Sequence, residues 1–200
     1  QTITAANDLT VGDGTNGVNV TGAIQNPVID VNGNVSIATS SALTAPISSS
    51  FNVAGSWSNL GIFNNSSSTV TFDAGAVGKT IDTGDSSFYN VSFDNASGGW
   101  TVVGDATSTN NWAIANAAAF ALSASKTIEV GGQYSVGNSV PSITTWNSGS
   151  VLYLNSGTGY TVGSKDQSQE DYAGLEVGAD TDIRMWNSSS SAYTIDASGS

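Results

Sequence analysis

The chain contains no cysteine and no histidine among its 200 residues. Catalysis by a Ser-His-Asp triad or a Cys-His pair is therefore impossible within it, and so are the usual zinc sites. Disulfide bonds are excluded as well, but a long regular stack of repeating units does not need them. The sequence predicts neither redox activity nor a histidine-dependent enzyme.

Positive charge is also scarce. Lys and Arg number 4 against 16 Asp and Glu, so the formal net charge is −12. Such a chain repels the phosphate backbone of nucleic acids and is equally unsuited to anionic lipid headgroups. No apolar run approaches the roughly 18 residues of a membrane-spanning helix, so we expect no membrane insertion. The sequence does not begin with a basic stretch and an apolar core, so we expect any export signal to be already removed or to lie outside it.

What the sequence has instead is a short alternation of apolar and polar residues, the pattern of half-buried strands. Examples are Leu9-Thr10-Val11, Val35-Ser36-Ile37 and Val91-Ser92-Phe93, and the segments between such stretches are rich in turn-forming Gly, Asn, Asp and Ser. One alanine-rich run, Ala113 to Ala124, is compatible with a short helix, although Ser and Asn dilute it. We predict an all-β chain with strands of about three to five residues.

Two architectures fit short strands at this spacing: a parallel β-helix, also called a β-solenoid, and a pair of tandem β-sandwiches. An internal repeat favours the β-helix. Residues 36–55 align without gaps with residues 113–132, at an offset of 77 positions that places Phe51 opposite Ile128. Tandem β-sandwiches remain the alternative.

The repeat also predicts how the chain is divided. We expect a cap or partial repeat at residues 1–35, a first repeat at 36–112 and a second repeat at 113–200, all in one continuous solenoid. At roughly 20 to 25 residues per coil, each repeat would hold three or four coils and the chain about eight to ten.

Two segments of the chain resemble a known family. They are Phe51 to Trp100 and Thr181 to Ser200, the second of which contains the string TDIRMWNSS. Both resemble tandem repeats of large surface proteins from ultrasmall bacteria of the candidate phyla radiation, and the similarity extends over most of the chain beyond about Val28. The resemblance implies an exported, β-helical, adhesin-like protein, and it assigns no activity and no functional residues.

Few motifs in the sequence point to chemistry. Gly12 to Gly17 matches the dinucleotide-binding pattern G-x-G-x-x-G, but a strand-like segment follows it instead of a helix, so we expect a tight turn. Asp180 and Asp182 are the candidate metal ligands, because carboxylate oxygens on a turn suit Ca²⁺, and we expect no other cofactor. The same two carboxylates would serve a polysaccharide-active enzyme, which needs a pair of acids at fixed separation.

Four tryptophans are the candidate ligand-binding residues: Trp57, Trp100, Trp146 and Trp186. Exposed indole rings stack on sugars, and several of them along a rod would form a track for a glycan. The alternative is that these rings fill or cap the core of the solenoid, which the aromatic character shared between the two repeats also fits.

The function that the sequence favours is a non-enzymatic, extracellular structural or adhesive module, a segment of a repeat-built bacterial surface protein. Two alternatives stay open: a carbohydrate-binding module that uses exposed tryptophans, and a polysaccharide-active β-helix enzyme. The expected partners are neighbouring repeats or other copies of the chain, because an uncapped solenoid presents open strand edges, and also surface glycans.

Overall fold

The computed structural model describes residues 1–137 and 144–155, and beyond them the backbone of three short strands at 160–162, 175–177 and 183–185. All regular structure in these residues is β-strand, and every strand pair is parallel. The strands stack as a β-solenoid. The predicted all-β class and the parallel β-helix are therefore confirmed, and the chain does not form tandem sandwiches.

The solenoid has three faces. The first face is a sheet of seven strands: β1 (Thr2–Ala5), β4 (Val28–Val31), β7 (Ser50–Val53), β10 (Thr69–Phe72), β12 (Asn90–Asp94), β15 (Trp112–Asn116) and β18 (Tyr134–Val136). The second face also has seven: β2 (Leu9–Val11), β5 (Val35–Ile37), β8 (Trp57–Asn59), β11 (Lys79–Asp82), β13 (Gly99–Val102), β16 (Ala119–Leu122) and β19 (Thr144–Trp146).

The third face consists of two shorter sheets. The first sheet holds β3 (Asn19–Thr21), β6 (Ala42–Thr44) and β9 (Ile62–Asn64). The second holds β14 (Ala106–Ser108), β17 (Thr127–Val130), β20 (Val151–Leu154) and β22 (Leu175–Val177). Between the two sheets, Phe88 forms a single parallel bridge to Ser108. Finally, β21 (Tyr160–Val162) lies against β18 and pairs with β23 (Ile183–Met185).

One passage through the three faces is called a coil here. The coils are coil 1 (residues 1–27), coil 2 (28–49), coil 3 (50–68), coil 4 (69–89), coil 5 (90–111), coil 6 (112–133) and coil 7 (from 134). Paired residues in successive coils lie 19 positions apart at the shortest, Phe51 and Val70, and 26 at the longest, Thr2 and Val28. This range is close to the predicted coil length.

Alternation along each strand places the core. In β10, Val70 and Phe72 are buried while Thr69 and Thr71 face outward. The same rule explains the alanine-rich run, which forms β15 and β16 and not a helix. Its large apolar residues, such as Ile114 and Phe120, fall at inward positions, so strands bury them where a helix would scatter them around its circumference.

The 77-residue repeat does not coincide with the coils. Phe51 lies in β7 on the first face, whereas its counterpart Ile128 lies in β17 on the third face. The predicted boundaries at 36–112 and 113–200 begin inside β5 and β15. The similarity therefore reflects the shared strand-and-turn pattern, and the structural unit among the described residues is the single coil.

The middle of the solenoid is packed with aromatic rings. Nine rings form one connected network through coils 3 to 6, with neighbouring ring centroids 4.8 to 6.4 Å apart; the members are Phe51, Trp57, Phe63, Phe72, Phe88, Phe93, Trp100, Trp112 and Phe120. Most pairs meet edge to face, the arrangement that aromatic quadrupoles favour. The core is therefore continuous along the axis over four coils.

Candidate functional surfaces

Three of the four candidate sugar-binding tryptophans lie in the core. Trp57 and Trp100 are at most 2% exposed and Trp146 is 9% exposed, so none of these rings offers a face to a glycan. The reason is the alternation of the strands: Trp57, for example, pairs with Val35 and Ile81, and all three point inward. The structure thus corrects the expectation of exposure at these positions. Trp186 lies outside the described residues.

The candidate metal ligands Asp180 and Asp182 also lie outside the described residues. Within the residues that the structure does describe, no group of three or more Asp and Glu side chains is placed to hold a metal ion. The carboxylate of Asp13 stabilises a turn: its Oδ1 accepts the backbone N–H groups of Thr15 at 2.8 Å and Asn16 at 2.9 Å. These hydrogen bonds lower the pKa of Asp13 below its usual value.

The turn that contains Asp13 is the segment that matched the dinucleotide-binding pattern. Gly12 and Gly14 adopt positive φ angles of 83° and 81°, which glycine tolerates without steric cost. The segment connects β2 to β3, so a strand follows it and no helix N-terminus is available for a pyrophosphate. The expected tight turn is confirmed.

Among the described residues, Asp73 is the carboxylate whose surroundings raise its pKa. It follows β10 directly, at the border of the first face, where it is half-buried. Partial burial disfavours its charged form most, and the negative charges of Asp30 on β4 and Asp94 on β12, in the same sheet, act in the same direction. The charged form of Asp73 is therefore disfavoured by its position in the sheet.

Polar side chains link the coils at the corners between faces. Asn59 is fully buried, and its Nδ2 donates to the backbone oxygen of Thr83 in the next coil at 2.8 Å. Thr83 in turn donates from Oγ1 to the backbone oxygen of Asp105 at 2.9 Å, and Asp105 accepts from the N–H of Thr127 at 2.8 Å. This ladder connects coils 3 to 6 in series. Buried amides and hydroxyls of this kind need such partners, so the ladder also fixes the rotation of each coil on the next.

Coil 1 presents apolar side chains where the other coils bury them. Ile3 of β1 is 52% exposed, although its register partner Ile29 in coil 2 is 8% exposed and Phe51 in coil 3 is fully buried. On the third face, Val20 is 39% exposed while its partner Leu43 is fully buried. Residues 1–35, expected as a cap or partial repeat, form coil 1, β4 of coil 2 and the turn that leads to β5.

Sequence reasoning missed coil 1 as a surface. The alternation in Leu9-Thr10-Val11 indicates a strand, but it does not tell how exposed the inward side chains of coil 1 are. Other exposed apolar residues, such as Leu60, Ile62 and Val77, lie on the outside of coils 3 and 4. Single exposed apolar residues are common on protein surfaces and indicate no site by themselves.

Comparison of the chain with family models, with curated proteins and with solved structures finds no match. Among the residues that the structure describes, no helix has the length and hydrophobicity needed to cross a membrane. The functional conclusion therefore depends on the geometry of the solenoid and on the sequence.

Proposed function

We propose that the chain is a non-enzymatic structural segment of an exported, repeat-built bacterial surface protein, in which it serves as a rigid rod that holds other parts of the protein away from the cell. The observation that carries the proposal is the unbroken core: aromatic rings from coils 3 to 6 pack on one another along the axis of the solenoid. A rod whose coils share one packed core is rigid and holds its two ends at a fixed separation, because no coil can move without disturbing its neighbours.

Two further features support a rod. Side-chain ladders, such as the one through Asn59 and Thr83, connect successive coils at the corners in addition to the backbone hydrogen bonds. With strands about 4.8 Å apart, the seven strands of the first face would span about 29 Å along the axis. A longer chain built of such coils would reach proportionally further.

An extracellular location is part of the proposal. The surface is rich in Ser, Thr and Asn, charged residues make up only 10% of the chain, and the net charge of −12 keeps it soluble without attracting anionic polymers. The resemblance of Phe51 to Trp100 and Thr181 to Ser200 to surface-protein repeats points to the same place. An adhesive role would belong to whichever surface of the protein meets a glycan or another cell, and Trp57, Trp100 and Trp146 do not provide that surface.

Immunogold labelling with an antibody against the purified chain tests the location. Intact cells of the producing organism should be labelled at their outer surface as strongly as permeabilised cells. Labelling that appears only after permeabilisation would overturn the proposal. The purified chain on a glycan array separates the structural role from the adhesive one, since a rod without a glycan site gives no signal above that of a matched acidic control protein.

A further inference from the structure

The third face of coils 2 and 3 carries large apolar side chains on its outer side. Leu60, just before β9, is 69% exposed. Ile62 is 57% exposed and lies in β9 beside Ala42 of β6. Ile47, which follows β6, is 50% exposed. Several exposed apolar side chains on one face, unlike single ones, are typical of a surface that another molecule covers.

The same surface is uncharged in a strongly acidic chain. Residues 38–49 and 60–68, which form the third face and its corners in coils 2 and 3, contain no Asp, Glu, Lys or Arg, although the net charge of the chain is −12. In coils 5 and 6 the third face differs, because Asp105 forms an ion pair with Lys126 and Glu129 lies on the outer side of β17. The exposed apolar residues thus coincide with the uncharged part of the face.

Charge decides which kind of partner fits this surface. A basic protein needs carboxylates to bind to, and a nucleic acid or an anionic lipid needs Lys or Arg, and residues 38–49 and 60–68 contain neither. A glycan stacks on exposed aromatic rings, whereas Phe63, the one aromatic residue of these segments, is buried. Two copies of the chain repel each other through their acidic surfaces and meet least repulsion where charge is absent. The surface therefore fits a second copy.

The outer side of this sheet is suited to pairing with itself. β6 and β9 are parallel and in register, and next to Ile62 their outward side chains are short. Thr44 and Asn64 lie side by side there, and Asn64 Nδ2 donates to Thr44 Oγ1 at 3.1 Å. In a contact with two-fold symmetry, the apolar residues of one copy lie on those of the other, and the hydroxyl and amide groups meet their own kind.

From these observations we infer that the third face of coils 2 and 3 is the contact surface of a dimer, in which two copies lie side by side. Because both copies use the same face, the contact closes at two copies and does not propagate. The apolar surface is small and association costs translational and rotational freedom, so the dimer should be weak, with a dissociation constant of about 10 µM to 1 mM. This contact does not depend on the proposed location of the protein at the cell surface.

Sedimentation velocity of the purified chain over a range of concentrations around this constant tests the inference. The wild type should pass from monomer to dimer. Ile62→Lys places an ammonium group in the contact and should raise the dissociation constant at least about tenfold, since an unpaired charge is costly to desolvate. Val77→Lys is the matched control, because Val77 is similarly exposed, at 61%, but lies in the turn between the first and second faces of coil 4; it should dimerise like the wild type.

Introduced cysteines locate the contact, because the chain has none of its own. Asn64→Cys, at the end of β9, should give disulfide-linked dimers under a mild oxidant. Ser58→Cys, also exposed but in β8 on the second face, should not. Four results would overturn the inference: a wild type that stays monomeric up to near-millimolar concentration, assemblies larger than a dimer, Ile62→Lys that dimerises as well as Val77→Lys, or Asn64→Cys that cross-links no better than Ser58→Cys.

Discussion

Coil 1 and the middle coils are built from strands with the same alternation of apolar and polar residues, and they differ in what covers their inward side chains. In coils 3 to 6 the nine rings of the network pack on one another within and between coils, and they are at most 5% exposed. In coil 1 the inward residues are aliphatic, and Ile3 is half exposed. Alternation alone thus makes a strand, and how deeply its inward side chains are buried depends on what else packs on them, since Val11 of the same coil is 1% exposed.

The difference has a consequence for stability along the rod. Each coil of a solenoid contacts only its neighbours, so the packing within and between adjacent coils sets its local stability. Coil 1 lacks the large buried rings of the middle coils and its Ile3 is half exposed, so it should open before the middle does.

The sharpest test of the comparison is truncation of one inward residue in each region. Phe93 is fully buried and its ring packs on those of Phe72, Trp112 and Phe120. Phe93→Ala should lower the free energy of unfolding by about 3–5 kcal/mol. Ile3→Ala should lower it by less than about 1 kcal/mol, because half of the side chain is already in water.

Urea titrations followed by circular dichroism measure both changes. Leu60→Ala is the control, because Leu60 belongs to the same middle region but is 69% exposed, and it should change the stability by no more than about 0.5 kcal/mol. Equal losses in Phe93→Ala and Ile3→Ala would mean that coil 1 is packed as well as the middle, and the comparison would fail.

The sequence predicts the strands better than it predicts their neighbours. Segments such as Val35-Ser36-Ile37 have apolar residues at both inward positions, and their alternation identifies them as strands. Strands with one large apolar residue, such as Trp57–Asn59 and Thr144–Trp146, show too little alternation to predict which of their side chains face the core. This is why Trp57 and Trp146 were open to interpretation as exposed rings.

The pairing of coils is a long-range property that composition does not encode. Coil length varies from 19 to 26 residues because turns differ in length. Three coils lead from Phe51 to Trp112 and four lead to Tyr134, so an offset of 77 residues is not a whole number of coils and places Phe51 and Ile128 on different faces. The exposure of coil 1 is likewise a property of the assembled stack. Asn59 illustrates the same point, since its sequence neighbourhood is that of a turn and only the fold buries it.

Asparagines at the corners allow a smaller test of the comparison. Asn59→Ala leaves the buried carbonyl of Thr83 and the N–H of Gly61 without the partners that Asn59 supplies at 2.8 and 3.0 Å, and it should cost about 1–3 kcal/mol. Asn34 makes similar bonds near coil 1, to Ser56 at 2.8 Å and Asp8 at 3.1 Å, but it is exposed. Water replaces these partners, so Asn34→Ala should cost about 0.5–1 kcal/mol. Urea midpoints that reverse this order would show that corner ladders do not stabilise the middle more than the end.

The smallest expected effect is a pH dependence of opposite sign in the two regions. Burial and the charges of Asp30 and Asp94 raise the pKa of Asp73 above its usual 3.8, so ionisation of Asp73 destabilises the fold as pH rises. Asp73→Asn should therefore raise the melting temperature at neutral pH by about 1–2 °C, and the gain should vanish in acid below the usual pKa.

In coil 1, the N–H groups of Asn16 and Thr15 lower the pKa of Asp13, so its contribution to stability is present above pH 3.8 and is lost as pH falls through its lowered pKa. Asp13→Asn should accordingly lower the melting temperature at neutral pH, and calorimetric scans in which both variants shift in the same direction would contradict the assigned environments.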